Sequence, residues 1–492
     1  MPEVPREARW GVRPETDDAL ESSPLVTVYI ANHNYGLYLE QAIRSVLRQT
    51  LTDFELILID DGSTDDSREI IESYASDEKI ITVFQHNKGL NVTNNIALRA
   101  ARGRYIMRLD ADDWLDEHAL RILSDALERE PDVGLVFPDY YLADQDGNIL
   151  DLVRRDDLNE VTLLDRPAHG ACTMIRTQSL REAGGYGEAF RCQDGYDLWL
   201  RFVGRYGVRN VNLPLFYYRR HGNNLTQDET RLLETRARIL AEHSERRTEH
   251  FTLAIVPVRG KVLDPGSRAL QVLENRALID WTLDTALAAE RVDDVLVTSP
   301  DSEVLAHVRK NYGERVRTVL RDTKLAMVNS YLDDTVVEAL AAYAELRQQS
   351  PDVVAILFVE SPFRLPRHVD SAIDVLDVFD TDSVVAVRPE TDTFYRHDGD
   401  GLRAFGDVNP RLRLEAEELY REVGNLHVIS TDRIKESLVA APGGRVGHIV
   451  LDEHAAFSVL TGWDWKVAQL IAREGSYTPG SPEHAKRVEN ET

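Results

Sequence analysis

Between Tyr105 and Trp114 an apolar run, Tyr-Ile-Met-Arg-Leu, gives way to Asp110, Ala111, Asp112 and Asp113. Three carboxylates delivered together at the end of a strand are hard oxygen donors, suited to Mg²⁺ or Mn²⁺. Upstream, residues 54–59 deliver Asp60 and Asp61 into Gly62-Ser63-Thr64 in the same way. Open α/β sheets keep their ligand crevice at the carboxyl ends of such strands, so the two acidic ends predict a site for a nucleotide and a divalent cation. Alternation in an extended chain puts residues two apart on one side, which predicts that Asp110 and Asp112 face the same way. The plainer alternative is that these acids, with Ser63 and Thr64, only cap the helices that follow.

A repeating strand and helix pattern is available to hold both ends at one edge. Residues 26–31 are an apolar strand, 38–47 have apolar residues at helical spacing, and 54–59 are the next strand. A helix with an acidic first turn follows over 65–74, then a strand over 80–84 and a helix over 93–101 that leads into the three-carboxylate strand. Residues 230–250 are strongly charged and nearly free of Gly and Pro, which predicts a connector helix. The alternation then restarts: a strand from Phe251 ending in a loop at Gly260, an amphipathic helix over 277–288, a strand over 292–298, a helix over 301–312 and a buried strand over 353–359. With 492 residues, the chain exceeds what one core usually supports. The expected fold class is α/β, with two consecutive Rossmann-like doubly wound domains. Their limits are a flexible tail at 1–24, a first domain at 25–229, the connector at 230–250, a second domain at 251–478 and a polar tail at 479–492.

Composition removes several function classes. The apolar fraction of 43% excludes disorder as the dominant state, and a formal charge of −27 argues against sequence-blind nucleic-acid binding. Such an acid-rich surface fits a salt-rich cytoplasm or a merely soluble, self-repelling protein. Cys172 and Cys192 cannot frame a chain of this length with disulfides, and read as buried thiols in a reducing compartment. No signal segment opens the chain, and no apolar run approaches the roughly 18 residues of a membrane span. The expected location is the cytoplasm, with peripheral contact at the inner membrane face.

Six segments resemble, in order, those of the family 2 glycosyltransferases of the GT-A fold: Val26-Thr-Val-Tyr-Ile-Ala-Asn-His-Asn34, Ile59-Asp-Asp-Gly-Ser-Thr-Asp65, Asn87-Lys-Gly89, Leu109-Asp-Ala-Asp-Asp113, Gln193-Asp-Gly-Tyr-Asp-Leu-Trp-Leu-Arg201 and Tyr218-Arg-Arg-His-Gly-Asn-Asn-Leu-Thr226. The resemblance implies that Asp60, with Asp61 and the loop of Ala31, Asn32 and Asn34, holds the base and ribose of a nucleotide-sugar donor. It makes Asp112 a direct ligand of Mn²⁺ or Mg²⁺, puts Asp110 on the ribose or a metal-bound water, and sets Asp113 behind them. His221 falls beside the pyrophosphate and metal. Asp194 becomes the base that takes the acceptor's proton, with Asp197 as runner-up. Departures are Ala31 in place of the usual Pro, and Asn94 where an Arg commonly meets phosphate. The family implies a single in-line, inverting displacement onto a glycan, glycolipid or glycoprotein hydroxyl.

From about Leu253 to Leu470 the chain resembles the cytidylyltransferases that activate acylneuraminate and related sugars, through Ala254-Ile-Val-Pro-Val-Arg-Gly260, Arg276-Ala-Leu-Ile-Asp-Trp-Thr282, Glu360-Ser-Pro-Phe-Arg364 and Tyr420-Arg-Glu-Val-Gly-Asn425. Arg259, Lys261 and Arg268 are the phosphate candidates in its first loop, where Leu263 replaces a Lys. A base-reading Gln falls on Phe358, and a metal-binding Asp pair on Ser458 and Leu460. These losses imply a degenerate domain serving as scaffold, acceptor platform or homo-oligomerisation unit. Two alternatives stay open: a bifunctional enzyme that also makes a CMP-activated acidic sugar, and a non-catalytic carbohydrate-binding scaffold.

Overall fold

The computed structural model describes residues 9–10, 23–155, 170–190, 194–221, 229–244, 250–326, 332–390, 394–397, 399–404, 419–434 and 444–473. The expectations for residues 1–8 and 11–22 of the first tail, for 479–492, for Cys192 and Gln193 and for residues 222–226 fall outside them. Two compact units emerge, Met1–Asp228 with Asn409–Ala416, and Glu229–Val408 with Glu417–Thr492.

In the first unit the chain runs β1 (Arg9–Trp10), β2 (Val26–Asn32), α1 (Gly36–Leu47), β3 (Phe54–Asp61), α2 (Ser67–Tyr74), β4 (Ile80–Gln85), α3 (Leu90–Ala100) and β5 (Tyr105–Asp110). It continues through β6 (Trp114–Leu115), α4 (Ala119–Arg129), β7 (Val133–Ala143), β8 (Ile149–Val153), β9 (Met174–Arg176), α5 (Thr177–Glu182), α6 (Asp194–Val203) and β10 (Gly207–Arg219). One sheet joins the strands in the order β1-β4-β3-β2-β5-β9-β7-β10-β6, with β8 on β7. β4, β3, β2 and β5 are parallel, as the strand and helix alternation requires. Beyond β5 the sheet turns mixed, because β9 runs antiparallel to both β5 and β7 and β6 antiparallel to β10. The doubly wound expectation therefore holds for the first half of this sheet only.

Side-chain alternation explains why the parallel half is buried on both faces. Val28 and Ile30 of β2, Leu56 and Leu58 of β3, and Met107 and Leu109 of β5 pack against Leu39, Ile43 and Val46 of α1 and Leu120 and Leu123 of α4. Their neighbours Tyr29, Ile57, Ile59 and Ile106 pack on the other side with Ile96 and Leu98 of α3 and Trp199 and Phe202 of α6. At roughly 25 cal/mol per Å² of apolar surface, such two-sided burial is the main force fixing the sheet.

The second unit opens on α7 (Glu229–Ser244), then β11 (Thr252–Pro257), a hairpin of β12 (Val272–Leu273) and β13 (Arg276–Ala277), α8 (Leu278–Ala288), β14 (Asp294–Ser299), α9 (Ser302–Tyr312) and β15 (Arg317–Leu320). There follow α10 (Leu332–Arg347), β16 (Val353–Leu357), α11 (Pro366–Phe379), β17 (Ser383–Glu390), a hairpin of β18 (Tyr395–His397) and β19 (Leu402–Ala404), β20 (Leu419–Ser430), β21 (Val446–Val450) and α12 (Gly462–Arg473). The order is β15-β14-β11-β16-β20-β17-β21, with β20 antiparallel to both of its neighbours. Two expectations change here. The presumed connector, described over Glu229–Ser244, packs in this unit, where Ser244 donates to Asp377 of α11 and Glu234 pairs with Arg367. The helix α8 is not amphipathic: Leu278 to Leu283, Thr285 and Ala286 are all buried, as befits a helix covered all round. Among the described residues no helix is long and apolar enough to cross a membrane.

Candidate active site

At the carboxyl ends of β2, β3 and β5 three turns meet. Asn32, the last residue of β2, donates to Asp60 Oδ1 at 3.3 Å and to Ser63 Oγ at 3.0 Å, while Asp60 Oδ2 accepts from Ser63 N at 3.2 Å. Asn34 takes φ 60° and closes the same contact, its N–H reaching Ser63 Oγ at 2.9 Å and its Oδ1 accepting from Thr64 N at 2.7 Å. Gly62, at φ 79°, permits the turn: a Cβ there would stand 2.7 Å from Asn87 N. The loop of Ala31, Asn32 and Asn34 and the turn after Asp60 thus form one rigid wall. Ser63 serves that wall rather than capping a helix.

Asp61 lies next to this wall but is consumed by structure. Its Oδ1 accepts from Lys88 N at 2.8 Å and Gln85 Nε2 at 2.7 Å, and its Oδ2 from Gly89 N at 3.0 Å, which binds the entry of α3. Asn94 departs further from expectation. It is fully buried under the sheet, with Oδ1 accepting from Tyr29 Oη at 3.1 Å, because α3 turns that position into the core.

The three-carboxylate end differs from the alternation argument for a simple reason: β5 stops at Asp110, and residues 111–113 turn. Asp110 pairs with Arg108 at 2.8 Å and keeps its side chain 28% exposed, whereas Asp112 is buried with Oδ2 at 2.9 Å from His221 Nε2. Asp113 Oδ1 accepts from Arg219 N at 2.9 Å, and its Oδ2 is buried without a hydrogen-bond partner. Burial, then Asp110, pushes the Asp112 carboxyl above the ordinary range, against the pull of His221. Burial, then Asp112 and Asp110, pushes Asp113 up further. Tyr35 shares this enclosure, its phenol raised by burial and by Asp112 and Asp110. Its ring meets the His221 ring edge-on at 5.6 Å, while Tyr38 stacks on that ring at 5.3 Å.

Crowded carboxylates whose ionised forms oppose one another are relieved by a cation. Among the described residues no group of three His, Cys, Asp or Glu stands ready to hold an ion alone. The donor set instead fits a small divalent ion that takes one or two carboxylates and completes its shell with phosphate oxygens and water. Asp112 and His221 would hold it, with Asp110 beside them.

Asp194 begins α6, and its side chain lies outside the described ones. Asp197 is buried and bound to Arg201 at 2.7 Å, an ion pair that ties α6 to the carbonyls of Ala183 and Gly185. That pairing suits a structural carboxylate better than a proton acceptor.

Residues 27–184 match the family model described as Glycosyl transferase family 2. The chain is similar to chondroitin synthase of Escherichia coli, 30% identical over 212 residues that cover 42% of this chain and 30% of that protein. It is also similar to glycosyltransferase GlyG of Streptococcus pneumoniae serotype 4, 35% identical over 138 residues covering 27% of this chain and 46% of that one. The chain thus spans less than half the length of either relative. A solved mannosyltransferase from Pyrobaculum calidifontis, in complex with GDP-Man and Mn²⁺, is 18% identical, with 49% of this chain and 68% of that chain covered at a TM-score of 0.38. At that score the likeness decides nothing about fold or ligand.

In the second unit the loops after β11 and β16 carry acids as well, Asp264 and a half-buried Glu360 whose carboxyl is pushed up by burial and by Asp264, but among the described residues these stand beside basic groups. Arg259 and Lys261 are exposed, the N–H of Lys261 is held by Asp301 at 2.9 Å, and Arg268 donates to Gln271 at 2.9 Å beside the Trp465 ring. Ser458 shares hydrogen bonds with Ser361 at 2.8 Å and Asn425 at 3.3 Å, and Leu460 is 72% exposed. Two groups at the first unit's site escaped sequence reasoning, Tyr35 and Arg219. Strand alternation along β10 was the available signal for the second, since Tyr217 and Arg219 fall on the face that meets Trp114.

Proposed function

We propose that this chain transfers a glycosyl group from a nucleoside-diphosphate sugar to a hydroxyl of a glycan, glycolipid or glycoprotein acceptor, with Mn²⁺ or Mg²⁺ at Asp112 and His221. The observation that carries the reading is the convergence of Asp110, Asp112, Asp113 and His221 at the sheet edge that also bears the Asn32–Asp60–Ser63 wall. The cation supplies charge stabilisation to the departing pyrophosphate. The wall of Asn32, Asp60 and Asn34 orients base and ribose, with Asp60 turning an oxygen to the base when the Asn32 bond yields. Asp110, paired with Arg108, meets the ribose or a water. The engagement of Asp197 by Arg201 favours Asp194 as the acceptor-side base. In-line attack on the side opposite the pyrophosphate inverts the anomeric centre.

The second unit acts as a cytidylyltransferase-like scaffold, acceptor platform or homo-oligomerisation surface without nucleotidyl transfer. Ser458 and Leu460 support this, because neither offers a carboxylate for Mg²⁺. The acid-rich chain works in the cytoplasm, at or near the inner membrane face where lipid-linked acceptors lie. The test is to measure binding and turnover of a panel of UDP-, GDP-, dTDP- and CMP-sugars with Mn²⁺, for the wild type and Asp194→Asn. Retained donor binding with transfer reduced about 10²- to 10⁴-fold supports the assignment. Unchanged transfer removes Asp194, and absence of binding across the panel removes the activity.

A further inference from the structure

Arg219, the last residue of β10, is 2% exposed and joins four segments through one guanidinium and one backbone N–H. Its Nε donates to Asp112 O at 2.8 Å, one terminal nitrogen to Gln145 O at 2.8 Å and the other to Gln41 Oε1 at 2.7 Å. The backbone N–H holds Asp113 Oδ1 at 2.9 Å. Two rings fix the plane of the guanidinium, Tyr38 at 4.6 Å and Trp114 at 4.5 Å. The stack continues outward, Trp114 on Tyr217 at 4.8 Å and 4°, then Tyr217 on Tyr141 at 5.0 Å and 23°. Only a planar cation with a fork of donors fits such a slot; an ammonium can neither stack flat nor reach three acceptors in fixed directions.

The placement gives this residue a task. His221 follows Arg219 by two residues, so where Arg219 is pinned decides where His221 stands relative to Asp112. The same guanidinium grips the peptide of Asp112 itself. We infer that Arg219 is a positioning residue, holding the Asp112 turn and the His221 segment at the separation at which both can share one divalent cation. The inference rests on the proposed metal-dependent transfer and adds to it the part that presets the geometry. Groups that orient a metal ligand typically change metal affinity about 10- to 100-fold when removed.

The sign of the effect separates placement from plain electrostatics. Arg219 is a positive charge beside the cation's ligands, so its neutralisation alone would strengthen cation binding. The experiment is Mn²⁺ titration of the full chain, followed by the EPR signal of free Mn²⁺, with Mn²⁺ alone and with UDP or GDP. Arg219→Gln and Arg219→Lys are compared with wild type after near-UV circular dichroism shows them folded. Mn²⁺ affinity reduced about tenfold in both is the expected result. Gln41→Ala, at an exposed position of α1, loses a single guanidinium partner without a packing defect and is expected to lower affinity about twofold to fivefold. Equal or tighter Mn²⁺ binding by Arg219→Gln, or no change in Gln41→Ala should the Arg219 variants not fold, overturns the inference. A wild type that takes up no Mn²⁺ under any of these conditions overturns the metal-dependent reading along with it, whereas wild-type binding with undiminished variants overturns this inference alone.

Discussion

The two units end their parallel strands in different chemistry, mostly acids in the first and a mixture of bases and acids in the second. In the first, β3 and β5 deliver five carboxylates, Asp60, Asp61, Asp110, Asp112 and Asp113, of which two are forced upward in pKa by burial and by one another. In the second, the loops after β11 and β16 bring Arg259, Lys261, Arg268 and Arg364 together with Asp264 and Glu360, and the position facing Asn425 is filled by two serines. Both sheets begin with a parallel βα pattern, so the backbone architecture does not decide the chemistry. What differs is which side chains the strand ends leave short of partners. In the first unit an anion is left short, since Asp113 Oδ2 has none and Asp112 shares its proton-prone carboxylate with a histidine; in the second it is a cation, since the buried Arg364 gives its terminal nitrogens to the carbonyls of Phe358, Gly424 and Asn425 while its Nε has no partner.

If that contrast is right, Asp112→Asn will cost the most, about 10²- to 10³-fold in transfer together with loss of Mn²⁺-dependent donor binding, as measured by donor titration with and without the metal. Transfer at wild-type speed would place the chemistry elsewhere. Next comes Arg364→Met, expected to lower stability by about 3 kcal/mol in urea melts because three buried carbonyls lose a charged donor, while donor binding by the first unit persists. Loss of donor binding with little change in stability would mean that the second unit reaches into the reaction.

A smaller effect follows from α11. Asp370 and Asp374 face Arg291, with Glu290, Asp377, Ser244 and His250 close by, and burial raises both carboxyls to about 6 from an ordinary 3.8. Raised values mean that the folded state holds the proton more tightly than the unfolded chain does. Their contribution is therefore complete below about 3.8 and fades as pH climbs through about 6. Melts of the second unit at pH 5 and 7 should show this decline, and Asp370→Asn with Asp374→Asn should flatten it; an unflattened slope would assign the decline to other groups. The smallest expected change is for Arg268→Ala, which leaves transfer within about twofold and reveals no CTP-dependent pyrophosphate release in either form, consistent with a half-buried arginine on the Trp465 ring contributing little by itself. Pyrophosphate release from CTP with an acylneuraminate-like sugar would erase the contrast between the units.

Much of the first unit was readable because strand alternation and strand ends are local properties. Residues 54–61 and 105–110 are largely apolar runs, broken only by Glu55 and Arg108 and stopped by acids, and both became strands whose ends meet. Alternation could not decide how Asp110 and Asp112 face, because a turn begins at residue 111 and period two has no meaning outside a strand. Asn94 and Asp61 were ambiguous for another reason: their types suit ligands and structure alike. Only the packing of α3 against Tyr29 and the loop at Lys88–Gly89 distinguishes the two uses. The mixed half of the first sheet was also hidden, since β9 is three residues long and its direction depends on a pairing across more than sixty positions.

The amino-acid order by itself determined that acids would sit at strand ends, that both halves would build α/β sheets, and that the rear half would lack carboxylates where its resemblance called for them. These follow from short-range patterning, which acts within a turn or a strand. Which acid stands free, which is spent on a neighbouring amide, and that one guanidinium between Tyr38 and Trp114 ties His221 to Asp112 were decided only in the folded molecule. Those outcomes depend on groups 70 to 180 positions apart competing for the same few hydrogen bonds, and that competition exists only once the sheet has brought them together.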